Sequence, residues 1–551
     1  MTAAGVACVG CGTELRENAK FCDACGSPLT GSHTRAEYKQ VTVLFADVVH
    51  SMDIAAAVGA ERLREIMSEL VVRSSAVVQR YGGTVDKFTG DGIMAVFGAP
   101  AALEDHALRA CLAALDIQQE VERLAAEVDR GDGVTLQLRV GLNSGEVIAG
   151  EIGSGPAGYT AVGEQVGMAQ RMESVAPPGG VMLSESTARL VEAAVVLGEP
   201  QKVCIKGFST PVGARRLLGT TTETRRPGRW WSTLVGRESE LSTLAGLLEQ
   251  SKDGSGRVVR LIGPPGIGKS RLVLETTAIA AERGVDVFTT YCESHTSDIP
   301  FHVATRLIRE VFSIGGLEPD AARARVRVGV PEADPGDLSL LDDLLGIADP
   351  GVSLPAVHPA ARTRRLTSLF NAAAVARTSP AIFVIEDAHW IDQISEGMFA
   401  EFANAVPLTH VLLFITYRPE YHGPLDRLPS SHRISLPSLQ DSASTALVAE
   451  LLGSDTSVNE FVEQVTQRAA GNPFFAEEIV RDLAERGVVG GEPGAYVSRH
   501  HPTDIRVPAS LQAAIAARID RLGGTAKRAL NAAAVIGLRF ESDLLTGIAE
   551  D

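Results

Sequence analysis

The chain has 551 residues, of which 45% are hydrophobic and 22% charged, with a formal net charge of −17. At roughly 100–200 residues per domain this describes three or four globular domains, and the acidic balance excludes bulk attraction to nucleic acid or to an anionic membrane surface. No apolar run approaches the ~18 residues of a membrane span and no leader pattern opens the chain, so it reads as soluble and cytoplasmic.

Seven cysteines are unevenly placed. Cys8, Cys11, Cys22 and Cys25 form two C-x-x-C pairs, "CVGC" and "CDAC", in a segment too short to fold on an apolar core. Each short loop can present two sulfurs to one tetrahedral ion, and zinc suits four thiolates. The alternative is four incidental cysteines. "CGTELRENAKFCDACGSPL" resembles bacterial zinc ribbons, giving a first domain over residues 1–28 with a structural Zn²⁺. Cys111, Cys204 and Cys292 are expected to be small core residues.

After a polar linker, "VTVLFADVVHS" (41–51) is an apolar strand ending on Asp47, and "LREIMSELVVRSSAVVQRYGG" (63–83) has helical apolar spacing that stops at paired glycines. "TVDKFTGDGIMAVF" (84–97) reads as two strands around a glycine-tight turn with Lys87 on its way in and Asp91 at its tip. If this hairpin pairs beside the first strand, Asp47 and Asp91 converge at one strand-end edge. Two carboxylates are what a hard ion such as Mg²⁺ or Mn²⁺ accepts, with substrate phosphates completing its shell. Taken singly, Asp47 as a helix cap and Asp91 as a turn residue would serve equally well.

"FADVVHS" and "KFTGDGIMAVFG" resemble the two metal-binding segments of class III nucleotidyl cyclases. "RVGLNSGEVIAGEIG", "YTAVGEQVGMAQRMESVAPPGGVMLSEST" and "CIKGFSTPV" are similar to that family's later segments, in order, over residues 38–218. The resemblance implies a ferredoxin-like α+β domain in which Asp47 and Asp91 hold the metals and Lys87 and Thr160 read adenine. It further implies that Arg171 stabilises transition-state charge and that Lys206 meets the triphosphate. It implies adenylyl cyclase activity (ATP to 3′,5′-cyclic AMP and pyrophosphate) and a homodimer, because the family builds each site from two such domains. One position departs: the family has asparagine four residues before the arginine, where this chain has Gly167. A cyclase-like domain of little or no activity within an ATP-driven switch or transcription regulator is the competing reading.

A Thr/Arg/Pro-rich stretch (219–233) precedes an α/β pattern. "GPPGIGKS" fits G-x-x-x-x-G-K-[ST] between a strand-like and a helix-like run, the context a P-loop requires. Gly263, Gly266 and Gly268 would let loop amides cradle phosphates, with Lys269 on the β/γ-phosphates and Ser270 on Mg²⁺. "AIFVIEDAHW" ends a buried strand on Glu386 and Asp387, partners for Mg²⁺ and water, and "LLFITYRPE" places Arg418 just after another strand. With "LVGRESEL" and "GNPFFAEEIV" these look like signal-transduction ATPases related to AAA modules. The expected architecture is thus α/β and multidomain: a zinc ribbon (1–28), the cyclase domain (38–218), a P-loop domain (234–435), and a helical lid leading into a winged-helix region (436–551). The expected partners are ATP at two sites and a second copy of the chain, with neither membrane nor nucleic acid.

Overall fold

The computed structural model describes residues 37–88, 90–151, 159–192, 194–205, 210–220 and 232–499, with scattered positions from 507 to 534. The four ribbon cysteines, Lys206 and the expected winged-helix entry near residue 540 lie outside the described residues. The chain divides into two compact units, one up to Arg225 and rejoined from Gln512, the other Arg226–Leu511.

The first unit opens β1 (Glu37–Val48), α1 (Ser51–Val58), α2 (Ala60–Arg80), β2 (Thr84–Phe88), β3 (Gly92–Phe97), α3 (His106–Asp132) and β4 (Leu138–Glu151). The sheet order β2-β3-β1-β4, with β1 antiparallel to both neighbours, is the ferredoxin-like arrangement the sequence suggested. It continues through β5 (Tyr159–Val162), α4 (Glu164–Val175), β6 (Val181–Ser184), α5 (Glu185–Val191), β7 (Val195–Leu197), β8 (Gln201–Val203) and β9 (Val212–Thr220). β6 and β9 extend the sheet beyond β4, while β5 pairs with β4 off its main path.

From Val41 to Val48, β1 is apolar except at Thr42 and Asp47 because both of its faces are covered. Leu44, Ala46 and Val48 join a core with α2 and α3, while Val41, Val43 and Phe45 join a second core with Ala169 of α4. α4 rests directly on β4: a Cβ at Gly141 would fall 1.9 Å from the Glu173 backbone nitrogen and 2.5 Å from the Ala169 carbonyl. The scattered cysteines divide. Cys111 and Cys292 are buried as expected, but Cys204 is exposed, because the short strand β8 before it sits off the main sheet path and packs little against the core.

The second unit contains α6 (Glu238–Lys252), β10 (Arg257–Ile262), α7 (Lys269–Glu282), β11 (Asp286–Tyr291), α8 (His302–Val311), α9 (Pro319–Gly329), α10 (Pro335–Leu344), α11 (Pro359–Ala376), β12 (Ala381–Glu386), α12 (Gln393–Ala405), β13 (Val411–Tyr417) and β14 (His432–Ser435). Its five strands form a parallel sheet in the order β11-β12-β13-β10-β14. Alternate residues of β12 point to opposite cores: Ala381, Phe383 and Ile385 toward α8–α12, Ile382 and Val384 toward α6 and α7. Three helices follow, α13 (Asp441–Leu452), α14 (Asn459–Ala469) and α15 (Pro473–Glu485), and then a ribbon of β15 (Val489–Glu492) and β16 (Ala495–Ser498). The helices that the sequence reading begins at residue 436 thus follow directly after the parallel sheet, and a two-stranded ribbon follows them.

The close approach at Gly141 gives a direct test of this packing. Gly141→Ala must push α4 off β4 and is expected to destabilise the first unit by about 1–3 kcal/mol or more, measured by chemical denaturation, whereas Gly131→Ala, with open space around its position, should change little.

Candidate functional site

Antiparallel register sets Asp47 of β1 opposite Gly92 of β3, and the Val48 N–H donates to the Asp91 carbonyl at 3.1 Å. The turn bearing Asp91 is thereby clamped to the end of β1. The two side chains meet: burial, then the charge and hydrogen bond of Asp91, raise Asp47 from 3.8 to about 6, against the opposing pull of Arg139. The Ser51 hydroxyl, at the start of α1, donates to Asp91 Oδ2 at 2.8 Å and orients that carboxylate.

Two groups beside this pair were not singled out in the sequence. Arg139 is the register partner of Asp47 on β4; it lies 4.0 Å from Asp47 Oδ2 and 3.1 Å from Glu173 Oε1 on α4. Glu173 is raised to about 7 by burial, with the Asp47 and Asp91 charges adding and Arg139 opposing. One guanidinium therefore meets two of three acidic groups, leaving an excess of negative charge that a divalent cation would neutralise. The donor set fits a hard ion, since it is all oxygen. Among the described residues no three His, Cys, Asp or Glu gather into a metal cluster. An ion on Asp47 and Asp91 would complete its shell with main-chain oxygens, water or substrate phosphates.

Lys87 and Thr160 come together through a third residue. Thr160 Oγ1 on β5 donates to Asp86 Oδ2 at 3.0 Å, and Lys87 Nζ is 3.8 Å from the same oxygen. Arg171 lies on α4, one turn beyond Gly167. A Cβ at position 167 would stand 3.2 Å from an Arg171 terminal nitrogen, so the guanidinium lies along the side of the helix that glycine leaves bare.

In the second unit the P-loop follows β10 and opens α7. Gly266 (φ 76°) and Gly268 (φ 100°) adopt the left-handed backbone the loop needs. Lys269 is buried, and its ammonium donates to the carbonyls of Gly263 at 2.9 Å and Pro264 at 3.2 Å. Burial lowers its pKa, with the charges of Asp387, Arg418, Glu386 and Glu420 all felt there. Ser270 Oγ donates to Glu386 at the end of β12. The expected P-loop residues thus converge. The sequence reading did not foresee how α15 closes the loop: the Asn472 side chain donates to the Pro265 carbonyl at 3.1 Å, and the Phe474 N–H to the Gly266 carbonyl at 3.2 Å.

With this geometry in place, comparison with known proteins defines the class. Residues 34–214 match the adenylate and guanylate cyclase catalytic domain, 233–415 the AAA ATPase domain, 440–495 a domain of unknown function, and 8–29 a zinc-ribbon domain. The chain therefore carries, in order, segments that match a zinc ribbon, a cyclase catalytic domain and an AAA ATPase domain.

Among relatives, an uncharacterised protein of Rhizobium meliloti is 28% identical over 536 residues, 95% of this chain and 51% of that protein. An adenylate cyclase of Mycobacterium tuberculosis is 30% identical over 171 residues, 31% of this chain and 38% of that protein. The chain spans about half of the first relative's length and less of the second's. Among solved structures, the adenylyl cyclase CyaB from P. aeruginosa is 27% identical, with a TM-score of 0.32 over 34% of this chain and 98% of that one. The guanylate cyclase domain of RhGC from Catenaria anguillulae, in complex with GTP, is 29% identical with a TM-score of 0.31 over 34% of this chain and all of that one. No helix among the described residues is long and apolar enough to cross a membrane.

Two outcomes follow from the electrostatics. Asp47 has a folded pKa above its ordinary value, so ionising it costs stability: the penalty is absent below pH 4 and complete above about pH 6. In metal-free protein, Asp47→Asn should therefore raise the melting temperature of the first unit at pH 7.5, with the gain shrinking as pH falls toward 4, as thermal scans across that range will read. Lys269→Ala should weaken nucleotide binding at the P-loop by about 10²-fold as an ion-paired phosphate contact is lost, read by equilibrium dialysis of ATP.

Proposed function

We propose that the first unit is an adenylyl cyclase that converts ATP to 3′,5′-cyclic AMP and pyrophosphate. The observation that carries this reading is the half-buried Asp47–Asp91 pair, held at one strand-end edge with its negative charge only partly offset by Arg139. A pair of Mg²⁺ or Mn²⁺ ions on these carboxylates would supply activation of the attacking oxygen and charge neutralisation at the phosphates. In the reaction the ribose 3′-hydroxyl attacks the α-phosphorus in line, losing its proton as the bond to the β-phosphate oxygen breaks and pyrophosphate leaves. Lys87 and Thr160 hold the adenine edge, Arg171 stabilises charge developing at the α-phosphate, and Lys206 meets the triphosphate.

The active form is a homodimer with two symmetric sites. Its support on the surface is a row of exposed apolar side chains. Tyr38 faces Ile148 in register and Ile148 faces Val162, across β1, β4 and β5, so a second copy has an apolar strip to cover. The P-loop unit holds a second ATP on Lys269 and Ser270, with Mg²⁺ positioned by Ser270, Glu386 and Asp387 and the γ-phosphate met by Arg418. It regulates the cyclase. Cys8, Cys11, Cys22 and Cys25 hold a structural Zn²⁺ in the ribbon.

Gly167 favours a second reading, a nucleotide-controlled switch with little turnover, because a missing positioning donor costs ~10²–10³ in rate. The test is cyclic AMP formation by the purified full-length chain with ATP and Mn²⁺ or Mg²⁺. Product that disappears in Asp47→Asn is expected. Gly167→Asn should raise kcat by about tenfold or more, because a Cβ there meets only the far end of the Arg171 side chain within 4 Å. No product above the Asp47→Asn background, from chain that binds ATP and dimerises, would replace the cyclase by the switch.

A further inference from the structure

The β2–β3 hairpin contains an irregularity that the cyclase reading does not use. Thr84 faces Val96 and Val85 faces Ala95, yet it is Lys87, not Asp86, that faces Met94. Asp86 is the extra residue of a β-bulge, a device that re-aims a side chain within a strand. An unbroken strand would send neighbouring side chains to opposite faces. With the bulge, Asp86 and Lys87 converge on one point: Lys87 Nζ lies 3.8 Å from Asp86 Oδ2, and Thr160 Oγ1 lies 3.0 Å from that oxygen. The Asp86 side chain is only 4% exposed, whereas that of Lys87 is 53% exposed. A carboxylate so buried needs partners, and its partners are the two residues assigned to the nucleobase.

We propose that Asp86 is a specificity-determining positioning residue that fixes the polarity of the Thr160 hydroxyl and thereby selects adenine over guanine. This rests on the assignment of Lys87 and Thr160 to the base. A hydroxyl is both donor and acceptor, and by itself it does not distinguish the two purines. A carboxylate only accepts, so the Thr160 proton is committed to Asp86 and only oxygen lone pairs remain for the ligand. Adenine carries an exocyclic amine, a donor, at C6, where guanine carries a carbonyl oxygen, an acceptor. The fixed hydroxyl accepts from the amine of ATP, whereas the carbonyl of GTP meets lone pairs alone. Lys87, held by the same carboxylate, keeps its remaining N–H groups for an acceptor on the ring. A buried polar group left unpaired by the wrong substrate is what makes such a site selective.

The test measures displacement of a fluorescent ATP analogue by ATP and by GTP from the full-length chain carrying Lys269→Ala, which removes the P-loop site, alongside cyclic AMP and cyclic GMP formation. The native pair should favour ATP. Asp86→Asn can donate to Thr160 as well as accept from it, and should lower the GTP-to-ATP ratio of dissociation constants by about tenfold. A role confined to folding would weaken both nucleotides alike and leave the ratio unchanged, which would overturn the proposal. Thr160→Ser should keep the ratio and Thr160→Val should lower it. Adding Asp86→Asn to Thr160→Val should lower it no further, because Asp86 acts through that hydroxyl. If Asp86→Asn does not fold, an unchanged ratio in Thr160→Val overturns the proposal on its own. An ATP preference set by Asp86 without cyclic product would sink the cyclase reading and uphold this one. Cyclic AMP formation with a ratio indifferent to Asp86 would do the reverse.

Discussion

The first unit depends on one electrostatic constraint: two carboxylates must be held together at the end of strands whose neighbouring apolar residues are buried on both faces. β1 can place Asp47 there only because its apolar residues are gripped by α2 and α3 on one side and α4 on the other. The clamp from Val48 to Asp91 closes the pair across β1 and β3. Unrelieved, such an arrangement opposes folding, since burial and like charge both raise the cost of ionising Asp47. Arg139 relieves part of it while also serving Glu173. The fold thus stores a demand for positive charge at one edge, and the packing of α4 at Gly141 sets how close Glu173 comes to that edge.

The second unit solves a different problem with a different charge. Its phosphate site is a loop of backbone amides at the start of α7, with one buried ammonium that turns onto the loop's own carbonyls. The Gly263 and Pro264 carbonyls hold Lys269 where phosphate oxygens would compete for it. α15 reaches the same loop through Asn472 and Phe474, so what the loop holds and where the helical segment sits are mechanically linked within this unit.

Much of this was legible in the sequence because it is local. The P-loop is one contiguous run, and "FADVVHS" and "KFTGDGIMAVF" each carry a carboxylate at the end of an apolar strand. Their meeting required only that neighbouring strands pair. What escaped was non-local or broke a period. Arg139 and Glu173 gain their meaning from cross-strand register and from a helix seated on a glycine, neither visible in a linear pattern. Asp86 escaped for a sharper reason: strict alternation assigns it and Lys87 to opposite faces, and only the bulge brings them together. Cys204 was misread because small apolar residues are usually buried, whereas the peripheral strand β8 gives it no cover.

The central claim is that Asp47 and Asp91 form a divalent-metal site that operates with a nucleotide. The most direct measurement is electron paramagnetic resonance of Mn²⁺ bound to the full-length chain carrying Lys269→Ala, titrated with a non-cleavable ATP analogue. The account predicts Mn²⁺ bound in proportion to nucleotide, lost when Asp47→Asn is added. Equal Mn²⁺ binding with and without the Asp47 carboxylate would contradict it, and would make the acidic pair a structural feature of the strand ends.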